Sequence, residues 1–112
     1  MCSPPADAVT QNYGIIRHMP RAVKVFHEKI RTAKGVVIEF KVWKVSKSED
    51  YPEGVKYSFF AVRSGKILVG YDNHRPKGHH RHFAGKEGPY DFDGFDKLRQ
   101  DFARDLEIAL ER

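Results

Sequence analysis

The sequence predicts an α+β domain in which an antiparallel meander of four to five β-strands packs against a C-terminal amphipathic α-helix. Up to residue 71, segments of alternating apolar and polar residues are joined by short turns, which is typical of antiparallel strands. Near the C-terminus, apolar residues recur at helical spacings instead. A chain of 112 residues fits one such domain, which we predict over residues 21–112, after a flexible N-terminal arm over residues 1–20.

The first two strands are predicted over residues 22–30 and 36–45, joined by a turn at Thr32–Gly35. One face of the second strand is apolar: Val36, Ile38, Phe40 and Val42. Trp43 falls among charged residues on the other face, so we expect that face to be partly covered.

After a polar loop over residues 46–54, two more strands are predicted over residues 55–63 and 66–71. Ser64–Gly65 between them predicts a two-residue hairpin turn. The glycines and proline of residues 85–89 predict a further break in the chain.

The C-terminal helix is predicted over residues 94–111. Asp93 is the predicted N-cap, because its carboxylate can accept hydrogen bonds from the free amides of the first turn. The apolar stripe that would face the sheet consists of Phe95, Leu98, Phe102, Leu106 and Ala109.

The composition excludes several classes of protein. A hydrophobic content of 40% and an aromatic content of 12% are enough for a core and argue against a disordered chain. No apolar run is long enough for a membrane span, and no signal peptide is evident. The single cysteine, Cys2, cannot form an internal disulfide, so we expect a cytoplasmic protein.

The net charge of +5 suggests an acidic partner, with nucleic acid the first candidate. The charge is uneven: residues 1–70 carry twelve basic and six acidic side chains, whereas residues 91–112 carry four and seven. If a basic sheet is backed by a more acidic helix, phosphate would approach the domain only from the side of the sheet that the helix does not cover. The alternative is that the excess charge serves only solubility.

Residues 71–82, Tyr-Asp-Asn-His-Arg-Pro-Lys-Gly-His-His-Arg-His, hold four of the six histidines. If residues 79–83 are extended, His80 and His82 share one face, and His79 and Arg81 share the other. Two imidazoles beside cationic side chains suit metal-independent RNA cleavage, with one as base, one as acid and a cation on the phosphate. The predicted catalytic residues are His79, His80, His82, Arg81 and Arg75. The predicted nucleic-acid contacts are Tyr71, Asn73, His74, Lys77, Lys86 and Tyr90.

Two other interpretations of this stretch stay open. Zinc could bind some of five candidate ligands: Asp72, His74, His79, His80 and His82. Their spacing matches no known motif and the nearby cations would repel a divalent ion, so we predict no metal and no cofactor. The structural interpretation is that Asp72-Asn73-His74 simply makes a tight turn, with solvated histidines around it.

The same stretch carries a resemblance to a known family. A Tyr-Asp-Asn run at residues 71–73 leads to Lys77-Gly78, a basic histidine group at residues 79–82, Pro89-Tyr90, and a helix with Leu98, Asp101 and Phe102. This pattern resembles the TumE family, small toxins of type II toxin–antitoxin pairs. The likeness covers about residues 21–112.

The resemblance implies a growth-inhibiting toxin whose partner is a cognate antitoxin, of helix-turn-helix type. It implies no particular reaction, so the prediction of an endoribonuclease rests on the chemistry of the histidines, and RNA is the expected substrate. The alternative is a module that binds nucleic acid or a protein partner through the same basic turn without catalysis. We expect no membrane association, and homo-oligomerisation is left open.

Overall fold

In the computed structural model, which describes residues 22–111, a six-stranded sheet carries one helix against one of its faces. The elements are β1 (Val23–Arg31), β2 (Val36–Lys44), β3 (Val55–Arg63), β4 (Lys66–Asp72), β5 (His80–Phe83), β6 (Lys86–Pro89) and α1 (Phe95–Leu110). The strands lie in chain order and every neighbouring pair is antiparallel, which confirms the predicted α+β class and meander. The predicted arm over residues 1–20 lies outside the described residues.

Residues 22–111 form six strands, so the prediction of four to five is wrong. The two strands that differ from the prediction are β5 and β6, which have four residues each. Histidines fill β5 and the sequence of β6 is Lys-Glu-Gly-Pro, so neither has the β-branched or aromatic residues that mark strands. They form because β4 extends to Asp72 and presents an edge to which the returning chain pairs.

The helix agrees with its prediction to within one residue at each end, but its predicted cap is wrong. The N-cap residue is Gly94, with a φ of 94°, and no side chain caps the helix. A positive φ is a conformation that glycine adopts without strain, so the chain turns into the helix there. Asp93 consequently lies one residue too early for its carboxylate to satisfy the first-turn amides.

The core lies between α1 and strands β2 to β4. Its buried members are Val36, Tyr57, Phe59, Ala61, Val69, Tyr71, Leu98 and Phe102. The ring of Phe102 packs edge-on against Phe40, with 5.1 Å between centroids, and lies 6.3 Å from the ring of Phe59. The predicted stripe therefore faces the sheet, as expected. We call this side of the sheet the helix face.

The opposite side, which we call the open face, includes Trp43, Phe60, Asp72, His80, His82 and Glu87. Trp43 is only 3% exposed, and the Lys56 ammonium lies 5.8 Å from its ring centroid. This confirms that the charged face around the tryptophan is partly covered. No helix within residues 22–111 is long and apolar enough to cross a membrane.

Candidate functional site

The alternation of β5 sends its side chains to opposite sides of the sheet. His80 pairs with Asp72, and Arg81 pairs with Tyr71. The rings of His80 and His82 lie 5.1 Å apart on the open face, whereas Arg81 reaches Asp105 of α1 on the helix face. The predicted separation of the two histidines from Arg81 is confirmed. The predicted catalytic residues therefore do not converge on one point.

Two carboxylates join the two histidines on the open face. The Nε2 atom of His80 lies 2.9 Å from Oδ1 of Asp72 and 3.1 Å from Oε2 of Glu87. The Nε2 atom of His82 lies 3.8 Å from the same oxygen of Glu87. The strand register explains this grouping, because Asp72 pairs with His80 across β4–β5 and His82 pairs with Glu87 across β5–β6. We call these four residues the histidine–carboxylate cluster.

His80 is buried, with 3% of its surface exposed. Its Nδ1 atom lies 2.8 Å from the carbonyl oxygen of Gly78. A carbonyl can only accept, so Nδ1 carries the hydrogen and Nε2 is the atom that faces the two carboxylates. The catalytic role predicted for His80 would require an accessible imidazole, whereas pairing of β5 between β4 and β6 covers it.

His82 is the more accessible imidazole of the cluster, with 16% of its side chain exposed. Burial lowers the pKa of His82, which favours the neutral form near neutral pH. The pKa of Glu87 is also lowered, chiefly by a hydrogen bond from the Lys77 ammonium at 2.8 Å. The cluster thus combines a neutral imidazole with an ionised carboxylate.

Asp72 is the least exposed carboxylate of the cluster, at 1%. Its Oδ1 atom accepts from the His74 backbone amide at 3.1 Å as well as facing His80. Its Oδ2 atom is buried and has no hydrogen-bond partner among residues 22–111. Leaving a buried oxygen without a partner costs about 1–3 kcal/mol, more when it is charged. This oxygen therefore marks a place where a ligand would be favourable.

An aromatic ring forms one wall of the cluster. Phe60 lies across the sheet from Gly70, and its ring centroid is 5.5 Å from that of His82. A Cβ atom at Gly70 would overlap the ring of Phe60. Glycine at this position therefore lets the ring lie flat over β4 beside the histidine.

The helix face holds a second polar group, which ties the sheet to α1. The guanidinium of Arg81 donates to Asp105 at 2.7 and 2.8 Å, and the Tyr71 hydroxyl donates to the same carboxylate at 2.5 Å. Burial alone would raise the pKa of Asp105, but hydrogen bonds from Arg81 and Tyr71 hold it below its ordinary value. The hydrogen bond to Asp105 has the opposite effect on the guanidinium and raises the pKa of Arg81. This group has the geometry of a structural clamp.

Two predicted nucleic-acid contacts, Tyr71 and Asn73, are buried, at 0% and 1% exposed. The Asn73 amide accepts from the Tyr57 backbone and donates to the Val55 carbonyl, both at 2.9 Å, so it fixes the start of β3. Neither residue has surface to offer to a nucleic acid. Both side chains have structural roles in this fold, because strand pairing and α1 cover them.

His79 and Tyr90 lie on the helix side. His79 stacks on Phe92 with 4.6 Å between ring centroids, and its Nδ1 atom lies 2.8 Å from the Tyr57 hydroxyl. The Tyr90 hydroxyl donates to Asp101 at 2.5 Å. These contacts separate both residues from the histidine–carboxylate cluster.

The remaining predicted residues lie on or near the β4–β5 connection. Arg75 and Lys77 are exposed, as is Lys86 in β6, so the tip of this connection is accessible to solvent. The Arg75 guanidinium lies 3.2 Å from Asp50. His74 is half-buried, and burial lowers its pKa.

Sequence reasoning missed Glu87 and left Asp72 out of the predicted site. The position of Asp72 could have been predicted from the sequence. If the fourth strand is extended by one residue to Asp72, alternation places this side chain on the face opposite Tyr71. The position of Glu87 could not have been predicted, because the sequence of β6 lacks the residues that mark a strand.

A comparison with family models places the chain in a known family. A family model described as Toxin TumE matches residues 10–110. The chain belongs to the TumE toxin family. This confirms the resemblance seen in the central motif, and the match begins within the segment predicted as an arm. Separate searches of curated proteins and of solved structures gave no match. Membership of TumE implies a toxin of a toxin–antitoxin system, with a cognate antitoxin as its partner.

Proposed function

We propose that this TumE-family toxin inhibits growth as an endoribonuclease that binds RNA across the open face of its sheet. The observation that supports this is the grouping of two imidazoles and two carboxylates beside exposed cations. Lys77 donates to Glu87 of the cluster, and Arg75 lies in the same connection. Lys56 lies on the same face, and burial, with a smaller effect of the Arg75 charge, lowers its pKa. Cations placed around the cluster in this way would attract phosphate groups.

The substrate would meet the cluster at His82. This imidazole is partly exposed and neutral, so it can accept the proton of a 2′-hydroxyl group. In the metal-independent reaction predicted from the sequence, a second imidazole would donate a proton to the leaving oxygen. His80 is poorly arranged for that step, because both of its nitrogens already face protein oxygens. Cleavage without a metal ion remains a prediction. It would need His80 to donate a proton, and the contacts of His80 do not favour that step.

The test is a cleavage assay on purified toxin separated from its antitoxin, with a labelled RNA, in EDTA and then with added zinc or manganese. We expect cleavage under at least one of these conditions. His82→Ala should lower the rate by roughly 10²–10⁴. His27→Ala is the matched control, since His27 is an exposed histidine on β1, 2.6 Å from Glu39, and its loss should leave the rate unchanged.

RNA that stays intact under every condition, with cells still arrested, would overturn the ribonuclease proposal. It would favour a module that inhibits growth by binding alone. A helix-turn-helix antitoxin fits the proposal as the partner, because a DNA-binding antitoxin can repress its own operon. A cytoplasmic location also fits, since RNA is the expected substrate.

A further inference from the structure

We propose that Asp72, His80 and His82 bind one divalent transition-metal ion of the Zn²⁺ class on the open face, with Glu87 beside the open coordination position. Imidazole nitrogens and carboxylate oxygens are the usual ligands of such ions in catalytic sites, which use three protein ligands and keep one position open.

The distances suit a single ion. One ligand atom from each of the three residues lies within 4.8 Å of the others. Four ligands at about 2.1 Å from a tetrahedral ion lie about 3.4 Å from each other. The 2.9 Å between His80 and Asp72 is somewhat shorter than this, so a small side-chain rotation would admit the ion. The paired strands β4 and β5 already hold the three ligand residues at neighbouring positions on one face.

The environment of His80 is the one that a metal-bound imidazole requires. Its Nδ1–H donates to the Gly78 carbonyl, which fixes the ring and leaves Nε2 as the ligand atom. Metal-binding histidines almost always donate their other N–H to a carbonyl or carboxylate in this way. That Nε2 atom lies 2.9 Å from Oδ1 of Asp72 and 3.1 Å from Oε2 of Glu87, so it already faces the oxygens that would share an ion with it.

Asp72 supplies an independent observation. Its Oδ2 atom is buried and has no hydrogen-bond partner among the described residues, although the side chain is 99% covered. A metal ion coordinated through Oδ2 would supply the partner that this oxygen lacks among the described residues.

The cations of the motif do not prevent metal binding, although the sequence suggested that they would. Arg81 points to the helix face and pairs with Asp105, and Arg75 pairs with Asp50. Lys77 does approach the cluster, but its side chain is 59% exposed and its charge is offset by Glu87. With neutral histidines, an occupied site would carry +2 from the ion, +1 from Lys77 and −2 from the two carboxylates. The net charge of +1 would attract phosphate.

Metal binding can be tested without any reference to RNA cleavage; only the use of the ion in that reaction rests on the proposed function. There His82 would serve as a ligand and not as the proton acceptor, and the ion would polarise a phosphoryl oxygen or activate a water molecule.

The experiment is a titration of the dialysed full chain with Zn²⁺ by calorimetry and with Co²⁺ by visible absorption, at a pH near 7. We expect one ion per chain, and a Co²⁺ spectrum of low coordination number that Zn²⁺ abolishes. His82→Ala should weaken binding at least tenfold, by analogy with the loss seen when ligand support is removed. His27→Ala should bind as the unmodified chain does. Fluorescence of the buried Trp43 checks that each variant is folded.

Three outcomes would overturn the proposal: no saturable binding, equal weakening by both histidine variants, or an octahedral Co²⁺ spectrum typical of surface sites. If His82→Ala does not fold, the Co²⁺ spectrum of the unmodified chain still decides the question. A saturated site without RNA cleavage would refute the proposed function alone. Cleavage in EDTA by a chain that binds no metal would refute the metal site alone.

Discussion

The clamp formed by Arg81, Tyr71 and Asp105 makes a strong prediction about stability. Asp105 is fully buried on α1 and accepts from both the guanidinium and the hydroxyl group. In Asp105→Ala, the buried Tyr71 hydroxyl loses the carboxylate to which it donates, and Arg81 loses its ion pair.

The expected cost follows from these two losses. The Tyr71 hydroxyl still accepts from Arg81 Nε at 3.1 Å, but a buried donor hydrogen that has lost its acceptor costs about 1–3 kcal/mol. Breaking a buried ion pair by removing one partner costs about 3–5 kcal/mol. The Arg81 side chain is 37% exposed, so water recovers part of its loss. We therefore expect Asp105→Ala to lower the free energy of unfolding by about 3 kcal/mol.

The assay is urea unfolding followed through Trp43, the single tryptophan, which is buried in β2. Arg104→Ala is the matched control on the same helix. Its guanidinium approaches Asp105 at 3.5 Å but is 56% exposed, so its loss should cost no more than about 1 kcal/mol.

The pH dependence gives a second measurement of the same clamp. Because the folded-state pKa of Asp105 is lowered, the stability it adds is fully present above the unfolded pKa of about 3.9. That stability is lost as the pH falls through the folded pKa. Asp105→Asn should therefore show a flatter loss of stability below about pH 4. Equal unfolding midpoints for Asp105→Ala and Arg104→Ala would refute the clamp.

Three further predictions concern the core, the wall of the cluster and the RNA surface. Phe102→Ala should cost about 3–5 kcal/mol in urea unfolding, because the ring is 97% buried; normal stability would mean that the wrong face of α1 is inward. Gly70→Ala should cost about 1–3 kcal/mol, because the new methyl group displaces the Phe60 ring; an unchanged unfolding midpoint would contradict the close approach. Replacing Arg75 and Lys77 by alanine should lower the slope of log affinity for RNA against log salt by roughly one for each phosphate that is no longer neutralised; an unchanged slope would show that neither side chain binds phosphate.

The sequence was most informative where side-chain pattern and burial coincide. The strand at Val55–Arg63 was predicted with its observed bounds, because it alternates and ends in a clear two-residue turn. The helix was predicted because its apolar stripe is long. The strand at Lys86–Pro89 could not be predicted, since it has no apolar face and exists only by pairing with β5.

The candidate site was predicted in part for the same reason. Strand alternation was enough to group His80 with His82 and to separate them from Arg81. The identities of their neighbours depend on cross-strand register, which brings Asp72 from eight positions before His80, and Glu87 from five positions after His82. Burial of His80 depends on the same pairing, so the sequence alone could not reveal that this imidazole is enclosed.

The alternation of one short strand also separates stability from chemistry in this toxin. Arg81 connects β5 to the helix, while His80 and His82, its immediate neighbours, belong to the open face. A substitution of Arg81 should therefore act on the open face only by loosening the strand that carries both histidines. Lost activity in an Arg81 variant would not identify a phosphate-binding residue, because unfolding or a shifted β5 would have the same effect. Substitutions on the open face itself, His82 above all, are the ones whose effects on activity can be interpreted directly.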